Sequence, residues 1–171
     1  SASVKAYYAL KLTGEDLDAP HMTWARKAIL DHGGAAKSNV FTRFTLALFD
    51  QVPWRAVPVM RVEALLLPEW APFHVDKVSY WSRTVMVPLL ILATLKPKAR
   101  NPRAVGIEEL FIEPAEDETD YFTNPTGTLL GSLLLFVDRI AHWIEPLFPN
   151  WLRGRALDRA LRFIDQRLNG E

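Results

Sequence analysis

Apolar positions recur with a helical period in segment after segment of this chain, and the interruptions are proline and glycine clusters. Val4 to Leu12 reads as a short amphipathic helix, ended by the polar connection at 14–20. After Pro20 a second helix sets Met22, Ala25 and Ile29 against Arg26, Lys27 and Asp31, and Gly33-Gly34 supplies a left-handed stop. Ser38 or Asn39 caps a third helix at 40–49, with Phe41, Phe44, Thr45 and Leu48 expected on one face. Pro53, Pro58, Pro68 and Pro72 then confine the chain to an irregular, tightly packed connector with room for a short helix around Val62–Leu67.

From Val85 to Leu92 every residue is apolar, and the run continues to Leu95. A bilayer-spanning helix needs about 20 such residues, so this shorter run predicts a helix buried on all sides. Pro88 fits a first turn or a kink but not a central strand. Tyr80-Trp81 stands at the mouth of this helix. A basic turn at 96–103, a short Glu-Glu-Leu-Phe-Ile segment and an acidic stretch at 113–121, read as a solvated loop, come next. Asn124-Pro125 opens a helix to about Glu145 whose apolar side is broad: Leu129, Leu130, Leu133, Leu134, Phe136, Val137, Ile140 and Ile144. The segment 146–151 breaks it, and a last amphipathic helix runs to Leu168 with Leu157, Ala160, Leu161, Ile164 and Leu168 expected inward. No strand pair is legible, and the expected fold class is all-α, built from antiparallel helix pairs joined by short loops.

Length and composition narrow the chemistry. With 171 residues, 49% of them hydrophobic, the chain suits one domain or a large piece of one. Lys plus Arg equals Asp plus Glu at 20 each, so no overall field favours a nucleic-acid partner. The absence of cysteine excludes a disulfide framework, a thiolate metal site and a cysteine nucleophile. The first ten residues lack the basic region and apolar core of a signal peptide and read as the start of a helix. His21, His32, His74 and His142 have no metal-ligand spacing and read as solvated or core-edge side chains, so no metal is expected. There is no glycine-rich strand-to-helix turn for a phosphate or dinucleotide, and no cofactor is expected. Gly127 and Gly131 could close-pack another helix, although such a pair in a soluble helix is usually incidental. Asp16, Asp18 and the acids at 116–118 lie in polar loops without the apolar surroundings a general acid needs. The aromatics Phe41, Tyr80 and Trp81 leave two readings open: ordinary core, or a cavity whose ring faces stabilise a cation that water would quench.

Longer strings add a resemblance. Val-Phe-Thr-Arg-Phe-Thr-Leu-Ala-Leu-Phe at 40–49, Pro53-Trp54, Val57-Pro58, Glu-Ala-Leu-Leu-Leu-Pro at 63–68 and Ser-Tyr-Trp-Ser-Arg-Thr at 79–84 resemble, in order and spacing, the bacterial squalene-hopene cyclases. The likeness extends over nearly the whole chain and is weakest at 97–125. It implies a segment of a class II triterpene cyclase, an α/α-barrel enzyme that protonates squalene and guides a carbocation cascade to hopene or hopanol. The family's Asp-Xxx-Asp-Asp proton donor belongs to its other, later barrel. It has no counterpart here beyond the partial match Asp16-Leu17-Asp18-Ala19, so no catalytic residue is assigned. Arg159-Ala160-Leu161-Arg162-Phe163-Ile164 matches the opening of the family's repeat, while Leu168 stands where glutamine is usual and the chain stops at Glu171 before the terminal tryptophan. The expectation is that 1–171 forms a single incomplete, partial α/α-barrel segment, without the other barrel and the end of the last repeat.

Residue by residue, the resemblance puts the family's substrate-contacting tryptophan on Trp81 and a cavity phenylalanine on Phe41. Residues of the substrate-entrance constriction fall on Val78 and Met86, with Val78 replacing an aromatic found in some members. Arg43 and Arg83 read as ion-pair or carbonyl partners. Leu147, Phe148 and Trp151, followed by Arg153 and Arg155, suit contact with a membrane surface, or alternatively a turn packed on the missing half of the protein. The implied partners are squalene, the remaining barrel and the membrane, with monotopic attachment on the cytoplasmic side of the bacterial inner membrane. The segment alone is expected to be inactive and to self-associate through its broad apolar helix at 126–145. A non-enzymatic helical scaffold derived from the same fold is the alternative.

Overall fold

The computed structural model describes residues 1–71, 74–119, 121–122, 132, 136, 140 and 149–168. Among these every regular element is an α-helix or a 3₁₀ turn, as the all-α expectation required. The chain divides into two compact units, each built from two separated stretches of sequence.

The first unit comprises Ser1–Pro58 and Pro97–Leu135. It contains α1 (Ala2–Thr13), α2 (Pro20–Asp31) and α3 (Val40–Leu48). Val4, Tyr7 and Tyr8 form the buried stripe of α1, and Met22 and Ile29 that of α2, at the three- and four-residue spacings a helix demands. Pro20 opens α2, where a missing N–H costs nothing. Gly34 has φ 76°, and a Cβ there would stand 2.9 Å from the Leu110 carbonyl oxygen, so glycine lets the loop after α2 close on the 3₁₀ turn Glu108–Leu110. Asn39, not Ser38, caps α3: its Oδ1 accepts the Thr42 N–H at 2.9 Å.

Phe41, Phe44, Thr45 and Leu48 share one arc of α3, but of the four only Phe44 is buried. Thr42, Arg43, Phe44, Leu46 and Ala47 are buried, whereas Phe41 is 57% exposed and Thr45 and Leu48 are half-buried. The cause is Arg43, whose guanidinium donates to the Tyr121 carbonyl and lies 4.6 Å over the Phe122 ring. Carrying this charged side chain inward turns the helix about its axis and carries Phe41 out.

Tyr7 donates its hydroxyl to Glu109 Oε1 at 3.0 Å, and Lys11 Nζ lies 2.7 Å from the same oxygen. Burial pushes the Glu109 carboxyl up, but hydrogen bonds from Lys11, the Glu109 backbone and Tyr7 outweigh it and hold the group below its ordinary value. A depressed folded pKa means that this stabilisation is present above the unfolded pKa, 4.5, and is lost as pH falls through the folded one. Thermal unfolding followed from neutral to acid pH should therefore fall less steeply below that value in Glu109→Gln than in the parent chain. Superimposable acid limbs would show that the carboxylate contributes nothing.

The second unit comprises Val59–Lys96 and Phe136–Glu171. Its elements are the 3₁₀ turns Val62–Leu66 and Val75–Lys77, α4 (Tyr80–Leu95) and α5 (Asn150–Leu168). Val62, Leu65, Val75, Val87, Leu90, Ala156 and Ala160 make its core. The Val62 N–H is satisfied by Thr94 Oγ1 at 3.1 Å. Arg83 pairs with Asp76 at 2.7 Å, so it and Arg43 have the ion-pair and carbonyl partners their sequence context suggested.

Two helix readings change in this unit. Ser79 caps α4 by accepting the Ser82 N–H at 3.3 Å, so the helix starts before the apolar run, and it is not buried on all sides. Only Val87, Leu90, Ala93 and Thr94 are buried, because the Val62–Leu66 turn and α5 cover one side of the helix. In α5 the inward pair is Ala156 and Ala160, flanked by half-buried Leu157, Phe163 and Ile164, while Leu161 and Leu168 are exposed. The two alanines let the Val62–Leu66 turn approach closely, which centres the buried arc on them and rotates Leu161 and Leu168 to the flank. The preceding break ends at Pro149, whose carbonyl accepts the Leu152 and Arg153 N–H groups. Of the helix expected at 124–145, Ser132, Phe136 and Ile140 are helical, and the rest, with Gly127, Gly131 and His142, lies outside the described residues. No helix among the described residues is long and apolar enough to cross a membrane.

Candidate functional site

At about 100° per residue, Trp81, Val85, Pro88, Leu92 and Leu95 fall in one arc of α4, opposite Val87, Leu90 and Thr94. Trp81, Val85 and Leu95 are 80%, 53% and 57% exposed, and Pro88 and Leu92 between them are half-buried. The helix therefore has two apolar faces, one covered by its own unit and one largely open, most so at Trp81, Val85 and Leu95. Pro88 belongs to the open face and brings no N–H, so the Thr84 carbonyl loses its helical donor there. The Thr84 hydroxyl turns back to the Trp81 carbonyl at 2.7 Å. From Thr84 to Leu95 the helix carries no ionisable side chain. Such a surface can hold a hydrocarbon and offer it a ring face, but it has no proton to give.

Trp81 sits in the first turn of α4, and its ring meets that of Tyr80 edge to face, with centroids 6.1 Å apart and planes at 78°. Val78 is half-buried and follows the Val75–Lys77 turn, just before the Ser79 cap. Met86 is half-buried on the covered side, packed against the unit's core. Val78, Trp81 and Met86 thus gather around the N-terminal half of α4, with Trp81 outward and Met86 inward. Phe41 belongs to the other unit, in the first turn of α3, where Thr45 Oγ1 donates to its carbonyl at 3.0 Å.

Val85, Leu92 and Leu95 were not singled out by sequence reasoning. Their signal was present in the uninterrupted apolar run, which exceeds what one covered face needs. His74 is a core-edge side chain whose Nδ1 accepts the Asp76 N–H at 3.2 Å, and His21 and His32 are exposed. Among the described residues no group of His, Cys, Asp and Glu could hold a metal ion. Leu147 and Phe148 lie outside the described residues, whereas Trp151 is exposed in the first turn of α5 with the Arg155 guanidinium 5.6 Å over its ring.

Residues 1–171, the whole chain, match the family described as squalene-hopene cyclase N-terminal domain. The chain is 55% identical over 172 residues to a squalene–hopene cyclase of Bradyrhizobium diazoefficiens, covering 100% of the chain and 26% of that protein. It is 54% identical over 175 residues to a probable squalene–hopene cyclase of Sinorhizobium fredii, covering 100% of the chain and 27% of that protein. A squalene–hopene cyclase of Zymomonas mobilis is 47% identical over 171 residues, again with 100% of the chain and 26% of the relative covered. The chain spans about a quarter of the length of these curated relatives.

Proposed function

Because the chain belongs to the squalene-hopene cyclase N-terminal domain family, we propose that it forms one wall of the substrate cavity and entrance channel of an enzyme that converts squalene to hopene or hopanol by proton-initiated polyene cyclisation. The observation that carries this reading is the open apolar face of α4, headed by Trp81 and free of ionisable groups. Squalene has no polar atom to anchor, so a cavity wall for it must be apolar and dry. Once a proton has been added, the face of an indole is the group best suited to stabilise the resulting cation without trapping it. In this reading Trp81 and Phe41 contact substrate, and Val78 and Met86 line the way in.

The acid that starts the cascade comes from the remaining barrel, so the 171-residue chain is a partial α/α barrel and inactive alone. Trp151 under its Arg155 cation, with Leu147 and Phe148, supports monotopic contact with a membrane surface on the cytoplasmic side of the bacterial inner membrane. Left without its partner barrel, the isolated chain self-associates through the broad apolar sequence at 126–145.

The test is Trp81→Ala in the full-length enzyme that carries this segment, with squalene turnover and the product profile read by gas chromatography. Turnover should fall about tenfold or more, or partly cyclised products should be released, matching the loss of a desolvated cation–π contact. Unchanged turnover together with an unchanged profile would remove Trp81 from the cavity.

A further inference from the structure

An indole that is 80% exposed has little packing of its own to hold it. Its ring neighbour is Tyr80, itself 49% exposed, so an edge-to-face pair alone would leave both rings free to turn. Tyr80, however, is held from the other helix. The Arg167 guanidinium, in the last turn of α5, lies 5.4 Å from the Tyr80 ring centroid and 3.4 Å from that of Phe163. Arg167 Nη1 donates to the Phe163 carbonyl at 2.7 Å, which ties the guanidinium to its own helix. Its Nε–H is buried and finds no acceptor among the described residues, while the guanidinium carbon lies over both rings. Phe163 is packed against the core of the unit. The result is a continuous series of contacts from the core through Phe163, Arg167 and Tyr80 to Trp81.

We infer that Arg167 is a positioning residue for substrate: by pinning Tyr80 of α4 to α5 it sets the orientation in which Trp81 presents its indole face. This inference rests on the proposed role of Trp81 at the cavity wall. A planar guanidinium suits the task because it can stack on two rings at once and stays charged at every working pH, whereas an ammonium offers only a point charge.

The experiment uses the full-length enzyme that carries this segment and compares Trp81→Ala, Arg167→Gln, Arg167→Lys, Tyr80→Leu and the double variant Arg167→Gln/Trp81→Ala. Squalene KM, kcat, product distribution and unfolding temperature are read for each. Arg167→Gln should raise KM or the share of partly cyclised products about threefold to tenfold, the size of one cation–π contact. Arg167→Lys should recover part of that change. Tyr80→Leu, which cuts the same link from the other side, should reproduce the shift even if Arg167→Gln folds poorly. In the Trp81→Ala background, loss of Arg167 should add nothing. An effect of Trp81→Ala with none from either Arg167→Gln or Tyr80→Leu would overturn the inference and leave the cavity reading standing. Additive effects in the double variant would also overturn it, since Arg167 would then act independently of Trp81. No effect from Trp81→Ala itself would defeat the cavity reading, and the inference with it.

Discussion

Replacing Arg153 by alanine is expected to lower the unfolding free energy of the chain by about 3 kcal/mol, measured by chemical denaturation. The reason lies in Glu63, whose side chain is 5% exposed. Its Oε1 is 3.3 Å from Arg153 Nε and 3.9 Å from Arg61 Nη1, and its Oε2 is buried with no hydrogen-bond partner among the described residues. Removing Arg153 leaves a buried carboxylate short of its nearer cation, and the penalty is the desolvation of a charge that has lost its compensation. Arg153 itself is 30% exposed, which keeps the figure at the lower end for buried pairs. Changing both partners, Glu63→Gln with Arg153→Met, should recover part of the loss, since no buried carboxylate is then left short of its cation, while Arg61 loses its contact with that carboxylate. Equal losses in the single and the paired variants would mean that the packing of α5, and not the buried charge, carries the cost.

Leu46→Ala should destabilise the chain by about 3 kcal/mol or more, because Leu46 is fully buried in α3 and its removal opens a cavity that the unit cannot close. Leu48→Ala, two residues along on a half-buried position, should cost less than half as much. The period of the apolar residues in the 40–49 string groups Leu48 with Phe41, Phe44 and Thr45 and leaves Leu46 out, so ranking by period alone would order these two the other way. A larger loss at Leu48 would restore that reading and contradict the burial of Arg43 that rotates the helix.

The case of α3 marks where sequence stops being informative. Its start was legible because a cap is local: Asn39 reaches an N–H only three residues away. Its orientation was not, because the group that decides it, Arg43, finds its acceptor on Tyr121, 78 residues along the chain. The same holds for α5, where Ala156 and Ala160 carry little hydrophobic weight in a periodicity count yet define the inward face by letting a neighbouring turn come close. For α4 the apolar run announced a helix needing cover on more than one side, and only the structure shows which side its own unit covers. Trp81 was identified from its string and not from its period. The link from Arg167 to Tyr80 had no sequence signal, since an arginine late in an arginine-rich helix reads as a solvated charge.

The interleaving of the two units also constrains how the molecule can be made. Each takes one stretch of chain, gives way to the other, and is resumed later: Ser1–Pro58 waits for Pro97–Leu135, and Val59–Lys96 for Phe136–Glu171. The partner of Glu63 follows it by 90 residues. At a synthesis rate of about 5–20 residues per second, the ribosome delivers Arg153 roughly 5–20 s after Glu63. During that interval Val62 and Leu65 have no α5 to cover them, and the carboxylate between them keeps its water. Docking of α5 must expel that water as it brings in the arginine, so a helix delivered well after the Val62–Leu66 turn is the element that closes the second unit.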